Sequence, residues 1–423
     1  MPKELCRLTK PMVAMVAACG IAALLGLQSP PVAAAEPTPG ITENEIVLGT
    51  STALSGSNAA TGTIGKAQKA YYDFVNAEHG GVKMGDGKTR KIKFVMYDDA
   101  LEPARALQNA RRLVEQDKVF AIVGSTGTSA CLAARDYLNQ RKVPQAFLST
   151  GAPMWGSDVA KYPWTFGIWP AYNTEAAIYA RYIKEQVPNA KIALMGDDSG
   201  GPLFTNAFVE AAKKEGLNIV IKEAYSNSDP TIDAKIDRLA ASGADVFVDA
   251  TTTKFTIQGL KRMAAIKWQP VHIIWGVSNS IGAVLKVAGE EASKGVLSGQ
   301  WYKDASSSAY ANDPGVKQFS EKVVQYGSGI DPHDSNAEMG WIAAEAVVKT
   351  LEQMKSPTRE AFMEAARNMK DQSVSLLLDG VKMTMGANDG YLIESLQVAR
   401  FDGQNYVPVG GLVSYEGKTP VSH

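Results

Sequence analysis

Apolar residues along this chain fall into two alternating patterns. Short runs rich in β-branched and aromatic residues recur at 45–50, 91–97, 119–124 and 143–148. Between them, segments at 63–78, 103–117 and 128–140 carry apolar residues at helical spacing. In the first of these, Ile64, Ala67, Tyr71, Phe74 and Val75 share one helical face. The scheme then repeats, with strands near 191–195, 218–224, 245–249 and 271–277 and helices near 173–187, 203–215, 230–241 and 254–266. Strands that alternate with helices in this way pair in parallel, and the helices cover both faces of the sheet. Two series predict two lobes. The boundary falls around Pro163 to Tyr172, where Tyr-Pro-Trp and Trp-Pro break the pattern.

A strand-like stretch at 295–301 precedes helical patterns at 314–326, 336–353 and 358–370, too late to belong to the second series. They read as a return to the first lobe. The short strands within 391–409 then pack on the second lobe. The predicted organisation is residues 41–168 plus 301–375 for one lobe and 169–300 plus 386–423 for the other. The fold class is α/β: two Rossmann-like lobes with parallel sheets, joined by a hinge of several crossings. Such a hinge suits closure around a small ligand.

The ends and the charge narrow the setting. Lys3, Arg7 and Lys10 precede an apolar run from Val13 to Leu27, and Ala33-Ala34-Ala35 offers a small-residue cleavage site. Residues 1–35 therefore read as an export signal. A competing reading takes Val16-Ala17-Ala18-Cys19 as a lipobox with a lipidated Cys19, but the apolar run continues well past it. The location expected is the periplasm. Three basic residues and Glu4 leave with the signal, taking the formal net charge from −1 to −3. No basic excess points to nucleic acid, and no second apolar stretch is long enough for a membrane span. Only Cys131 lies beyond the signal, so no internal disulfide is expected. His79, His272, His333 and His423 lie far apart without metal-ligand spacing. Neither metal nor cofactor is expected.

Three loops concentrate hydroxyls and glycines at the ends of first-series strands: Leu54-Ser55-Gly56, Ser125-Thr126-Gly127-Thr128-Ser129 and Ser149-Thr150-Gly151. The carboxyl ends of parallel strands are where open α/β sheets bind ligands. Thr128 and Ser129 also open the helix beginning near Ala130, where a carboxylate gains charge-assisted hydrogen bonds. Thr128 reads equally as a helix cap, and one residue can do both.

In order and spacing, several segments together resemble the solute-binding proteins of ABC transporters, of the branched-chain-amino-acid (type I periplasmic binding protein) kind. They are Ile46-Val47-Leu48-Gly49 through Gly56, Asn76-Ala77-Glu78-His79-Gly80-Gly81-Val82, Tyr97-Asp98-Asp99, Ala121 to Ser125, and Ser149 to Ala152. The resemblance covers about residues 43–410. It implies a protein that is not an enzyme, a monomer that catches a small solute between its lobes and hands it to the transmembrane subunits of an ABC permease. It implies that Thr126, Gly127, Thr128 and Ser129, with Ser149, Thr150 and Gly151, hold the solute's carboxylate. A further contact falls near Ala60 or Thr61. The family's second-lobe positions land at Ser199, Thr252 and Val277.

At those positions the sequence departs from amino-acid-binding relatives. The resemblance calls for a carboxylate at Val277 to meet an ammonium, yet no Asp or Glu occurs between Asp249 and Glu290. An ammonium taken out of water without an anion is costly. Asp249 reads as a turn residue or as a substitute anion, Trp155, Trp275 and Trp301 as packing or as stacking partners of the solute, and Glu338 with Asn336 as facing the cleft or, for Glu338, as a solvated helix start. The implied solute carries a carboxylate or amide-like acceptor and an apolar or aromatic body, rather than being a plain α-amino acid. Two alternatives stand beside this one. A sensing receptor on the same fold would signal through a partner. Asp198-Ser199-Gly200-Gly201-Pro202 mimics a serine-hydrolase nucleophile segment, but only His79 precedes it and its surroundings are strand–loop–helix. Asp98 and Asp99, adjacent on a strand end, point to different sides and read as structural.

Overall fold

The computed structural model describes residues 38–420, apart from 57, 198–202 and 227. The expected export signal, Cys19 and the Asp198–Pro202 segment lie outside the described residues. The first series builds a sheet from β1 (Glu45–Thr52), β2 (Val82–Lys83), β3 (Thr89–Asp98), β4 (Ala121–Val123), β5 (Gln145–Leu148) and β6 (Thr165–Gly167). Its order is β2-β3-β1-β4-β5-β6. Parallel pairing sets Leu48 opposite Phe94 on one side and Ala121 on the other. β4 and β5 are buried throughout, as expected for strands covered on both faces. α1 (Thr63–Glu78), α2 (Pro103–Glu115), α3 (Thr128–Gln140) and the one-turn α4 (Met154–Ser157) connect them.

The second series gives helices α5 (Tyr172–Gln186), α6 (Leu203–Glu215), α7 (Asp233–Ala241) and α8 (Thr253–Ile266), then the short α9 (Lys286–Ala288) and α10 (Glu290–Ser293). Its strands are β7 (Lys191–Asp197), β8 (Asn218–Tyr225), β9 (Val246–Ala250), β10 (Val271–Ile274) and β11 (Leu297–Gln300). β12 (Ser395–Phe401) and β13 (Tyr406–Ser414) complete the order β13-β12-β11-β10-β9-β7-β8. Between β11 and β12 the chain builds α11 (Pro314–Tyr326), α12 (Ser335–Gln353) and α13 (Arg359–Arg367). α12 lies along α1, where Trp341 stacks on Phe74 with ring centroids 5.9 Å apart and meets Tyr71 edge-on at 4.7 Å. Asp313 and Asp334 cap α11 and α12 by accepting from the N–H groups of Gly315 and Asn336.

Three features depart from expectation. The sheets are mixed: β2 runs antiparallel to β3, β12 to β11, and β13 to β12. β12 and β13 are joined by a tight turn in which Asp402 accepts from the N–H groups of Gln404 and Asn405, and so short a link permits only antiparallel pairing. β6 lies inside the 163–172 stretch assigned to the boundary. Three residues at a sheet edge tolerate flanking prolines, so the Pro-rich context hid it. Glu338, expected on a solvated helix start, is fully buried. The chain at 301–307 covers it, the Ala305 N–H donates to its Oε1 at 2.5 Å, and burial pushes its carboxyl well up.

Candidate functional site

A parallel bridge between Thr126 and Ser149 aligns the second and third hydroxyl loops, and the Ser149 N–H donates to the Ser125 carbonyl at 2.9 Å. Part of their hydroxyl capacity is spent inside the lobe. The Thr126 hydroxyl bonds Thr52 at 3.0 Å, and the Ser125 hydroxyl lies 3.3 Å from both the Thr50 hydroxyl and the Ser51 N–H. These bonds lace the end of β4 to β1. Thr128 and Thr150 face each other, hydroxyl to hydroxyl, at 2.6 Å. Ser129 is exposed beside them at the start of α3. Ser149 Oγ is buried and has no hydrogen-bond partner among the described residues.

Backbone shape fixes this floor. Gly127 has φ +80°, and a Cβ there would stand 2.6 Å from the Leu101 side chain. At Gly151 a Cβ would stand 2.6 Å from both the Pro170 carbonyl and the Tyr172 ring. The Tyr172 N–H donates to the Gly151 carbonyl at 2.7 Å, and its phenol is in hydrogen-bond contact with Thr150. Tyr172 therefore ties the floor to α5. The sequence pattern did not single it out, although it follows the Trp169-Pro170 break directly.

The first hydroxyl loop stands apart. Leu54 and Ser55 donate backbone N–H groups, and Ser55 its hydroxyl, to Asp98, which also pairs with Arg105. These donors, the Ser55 hydroxyl foremost, hold the Asp98 carboxyl well below the usual carboxylate range. Asp99 is buried and accepts from the Ser51 hydroxyl at 2.6 Å. The Thr61 hydroxyl donates to the Asn58 carbonyl within its own turn.

The second-lobe candidates, the expected wall of the site, come from distant parts of the chain. Thr252 is engaged by Tyr225, whose hydroxyl accepts from the Thr252 N–H at 2.9 Å and donates to Oγ1 at 3.2 Å. Asp249 is buried, accepts from the Thr251 N–H, and lies 3.2 Å from His272 Nε2. It closes a turn and pairs internally. Val277 lines a small cavity of about 20 Å³ with Trp169, Pro170, Tyr172, Glu175 and Trp301. Trp275 donates its indole N–H to the Thr251 carbonyl, and its ring centroid lies 5.3 Å from that of Tyr172. Trp155 packs beneath the floor, 5.2 Å from the Arg135 guanidinium. Ser199 lies outside the described residues.

The wall does contain an acid, one that the sequence pattern did not reveal. Glu175, on the first turn of α5, accepts on Oε1 from the Gly276 N–H and the Tyr179 hydroxyl, each at 2.6 Å. Burial pushes its carboxyl up to about 7, so a large fraction is neutral near physiological pH. The resemblance calls for an acid at Val277, in the turn after β10, where this sequence has none. Glu175 instead reaches the same place from a hundred residues earlier. The hydrolase alternative gains no support here: His79 is exposed and packs against Phe74. The arrangement can hold an acceptor group on the floor and an apolar body against Tyr172, Trp275 and Val277.

Residues 45–405 match the model of a family described as periplasmic binding protein. An amino acid binding protein of Pseudomonas aeruginosa is 27% identical over 218 residues, which cover 48% of this chain and 52% of that protein. This chain thus spans about half the length of that curated relative. Among solved structures, a branched-chain amino acid ABC transporter protein from Thermus thermophilus with bound valine is 19% identical, with TM-score 0.76 over 88% of this chain and 97% of the other. A solute-binding protein of an R. palustris ABC transporter in complex with 4-hydroxybenzoate is also 19% identical, with TM-score 0.71 over 88% and 97%. At such identities the likeness is one of fold: two α/β lobes with mostly parallel, mixed sheets.

Proposed function

The chain belongs to the periplasmic binding protein family, and on that premise we propose that it captures a small solute by hinge closure and delivers it to the membrane permease of an ABC importer. The solute carries a carboxylate, or an amide-like acceptor, on an apolar or aromatic body. Among the described residues no helix is long and apolar enough to cross a membrane, and the reading keeps the protein periplasmic. It assigns no catalysis.

One observation carries the choice of solute. Ser149 Oγ is buried and unpartnered beside the Thr128–Thr150 hydroxyl pair, at the N-terminal turn of α3. A buried hydroxyl left unpaired costs about 1–3 kcal/mol, which an acceptor group on the solute recovers. The helix start adds a preference for negative charge. Across the cleft, two acids among the described residues already hold partners: Asp249 with Thr251 and His272, and Glu175, through Oε1, with Gly276 and Tyr179. An ammonium would have to compete with these partners. Closure follows to the extent that the solute prefers the closed form.

Titration calorimetry and thermal unfolding with a fixed panel test this reading. The panel holds 4-hydroxybenzoate and related aromatic carboxylates, their amides, short aliphatic carboxylates, valine and leucine. The expected order places a carboxylate without an ammonium first, its amide roughly tenfold weaker, and valine and leucine last. Tighter binding of valine or leucine than of every such carboxylate overturns the solute assignment and makes Glu175 the ammonium partner.

A further inference from the structure

Three stretches of chain meet beside the start of α5. Asn173 contacts the Tyr391 hydroxyl and the Pro420 carbonyl, and the Thr174 hydroxyl bonds that of Thr419 at 2.7 Å. At this junction Asp389, Glu394 and Glu416 each present a carboxylate oxygen, and the three oxygens lie within 4.8 Å of one another. We propose that these three carboxylates bind a divalent cation of the calcium type, pinning the C-terminal tail to the segment that leads into β12.

Geometry supports a single centre. Oxygens sharing one Ca²⁺ stand about 2.3–2.6 Å from it, so two of them are separated by no more than about 5 Å. The charged neighbours of Glu416 are Glu394, Asp389 and Asp371, all acidic. Glu394 supplies an independent observation. It is 1% exposed, and one oxygen accepts the Gly417 N–H at 3.0 Å. Thr419 also contacts this carboxylate, yet its Oε1 is buried with no hydrogen-bond partner at bonding distance among the described residues. A buried carboxylate oxygen left unpaired beside two further carboxylates is costly, and a cation removes that cost. The other two ligands are well placed to join it, since the Tyr391 N–H orients the Asp389 carboxylate at 3.1 Å and Glu416 is exposed. The exposed side admits water to complete the six to eight oxygens that Ca²⁺ takes, and an all-oxygen donor set selects a hard cation over zinc or copper.

None of the three carboxylates belongs to the floor or the wall of the solute cleft, so cation binding is tested without solute. Chelator-treated protein is titrated with CaCl₂, and with MgCl₂ in parallel, by calorimetry and thermal unfolding. The expected result is one Ca²⁺ per chain, with Tm raised by about 3 °C or more at saturation. Glu416→Gln and Asp389→Asn should each weaken Ca²⁺ binding by roughly tenfold or more. Both should fold, because Glu416 is exposed and an asparagine keeps the bond from Tyr391. No rise in Tm with either cation overturns the proposal. So does a rise that survives unchanged in Glu416→Gln, which would place the ion elsewhere.

Discussion

The floor and the wall of the cleft are built on opposite plans. Floor residues come from two adjacent strand ends, 125–129 and 149–151, laid side by side by one bridge. Wall residues come from 172–175, 249–252 and 275–277, joined by the Gly276–Glu175 and Trp275–Thr251 hydrogen bonds and the Tyr172–Trp275 ring contact. Polar groups of the wall satisfy each other: Thr252 with Tyr225, Asp249 with His272, Glu175 with Gly276. The floor keeps one hydroxyl, Ser149 Oγ, buried and unspent. Directional hydrogen bonding thus resides on the floor, and the wall offers shape and aromatic surface.

The strongest way to break this contrast is to separate floor from wall. Gly151→Val places side-chain atoms where the Pro170 carbonyl and the Tyr172 ring already stand 2.6 Å from a bare Cβ. Overpacking of this kind costs about 1–3 kcal/mol, and here it also pushes Tyr172 away from Thr150. The expected outcome is a lower denaturation midpoint and a loss of solute affinity of roughly 100-fold or more, read by calorimetry. Unchanged affinity would show that Tyr172 does not join the two halves.

Glu175 tests the wall through pH. Its carboxyl is raised from an ordinary value of 4.5 to about 7, so the folded state holds the proton more firmly than the unfolded state. Stability therefore falls as pH rises from about 4.5 to 7 and levels off above, by up to about 3 kcal/mol in total. Glu175→Gln keeps an acceptor for Gly276 and Tyr179 but cannot ionise. Its Tm relative to the natural protein should climb between pH 5 and 7 and then plateau. Parallel Tm curves for the two proteins over that range would show that the group titrates normally.

The same contrast explains what was legible in the sequence. Strands and helices of both series appear near their expected places because alternating periodicity is a local signal. The floor was legible for the same reason, since a Ser/Thr/Gly turn after an apolar strand marks itself. Tyr172 and Glu175 were not, because their roles depend on partners elsewhere in the chain, Gly151 and Gly276. Glu338 misled in the same manner: its helix start is polar in sequence, yet the crossing at 301–307 buries it. β6 escaped because three edge residues between prolines carry too little pattern to register.

The smallest effect is also the most discriminating, because the floor's two kinds of hydroxyl should respond with opposite sign. Thr128 has a partner in Thr150 at 2.6 Å, so Thr128→Ala removes a hydrogen bond and costs about 1 kcal/mol of stability in the solute-free protein. Ser149 Oγ is buried with no partner, so Ser149→Ala removes a desolvated group and should raise stability by up to about 1 kcal/mol. Both should weaken the solute, by roughly five- to tenfold each, if both hydroxyls face its acceptor group. Denaturant unfolding and calorimetry on the two variants separate these signs. A Ser149→Ala protein that is more stable yet binds as tightly would leave the hydroxyl a packing defect and move solute recognition to the backbone N–H groups of the same loop. A variant that is less stable would mean that Oγ is already satisfied without solute, and the distinction between a spent wall and an unspent floor would fall with it.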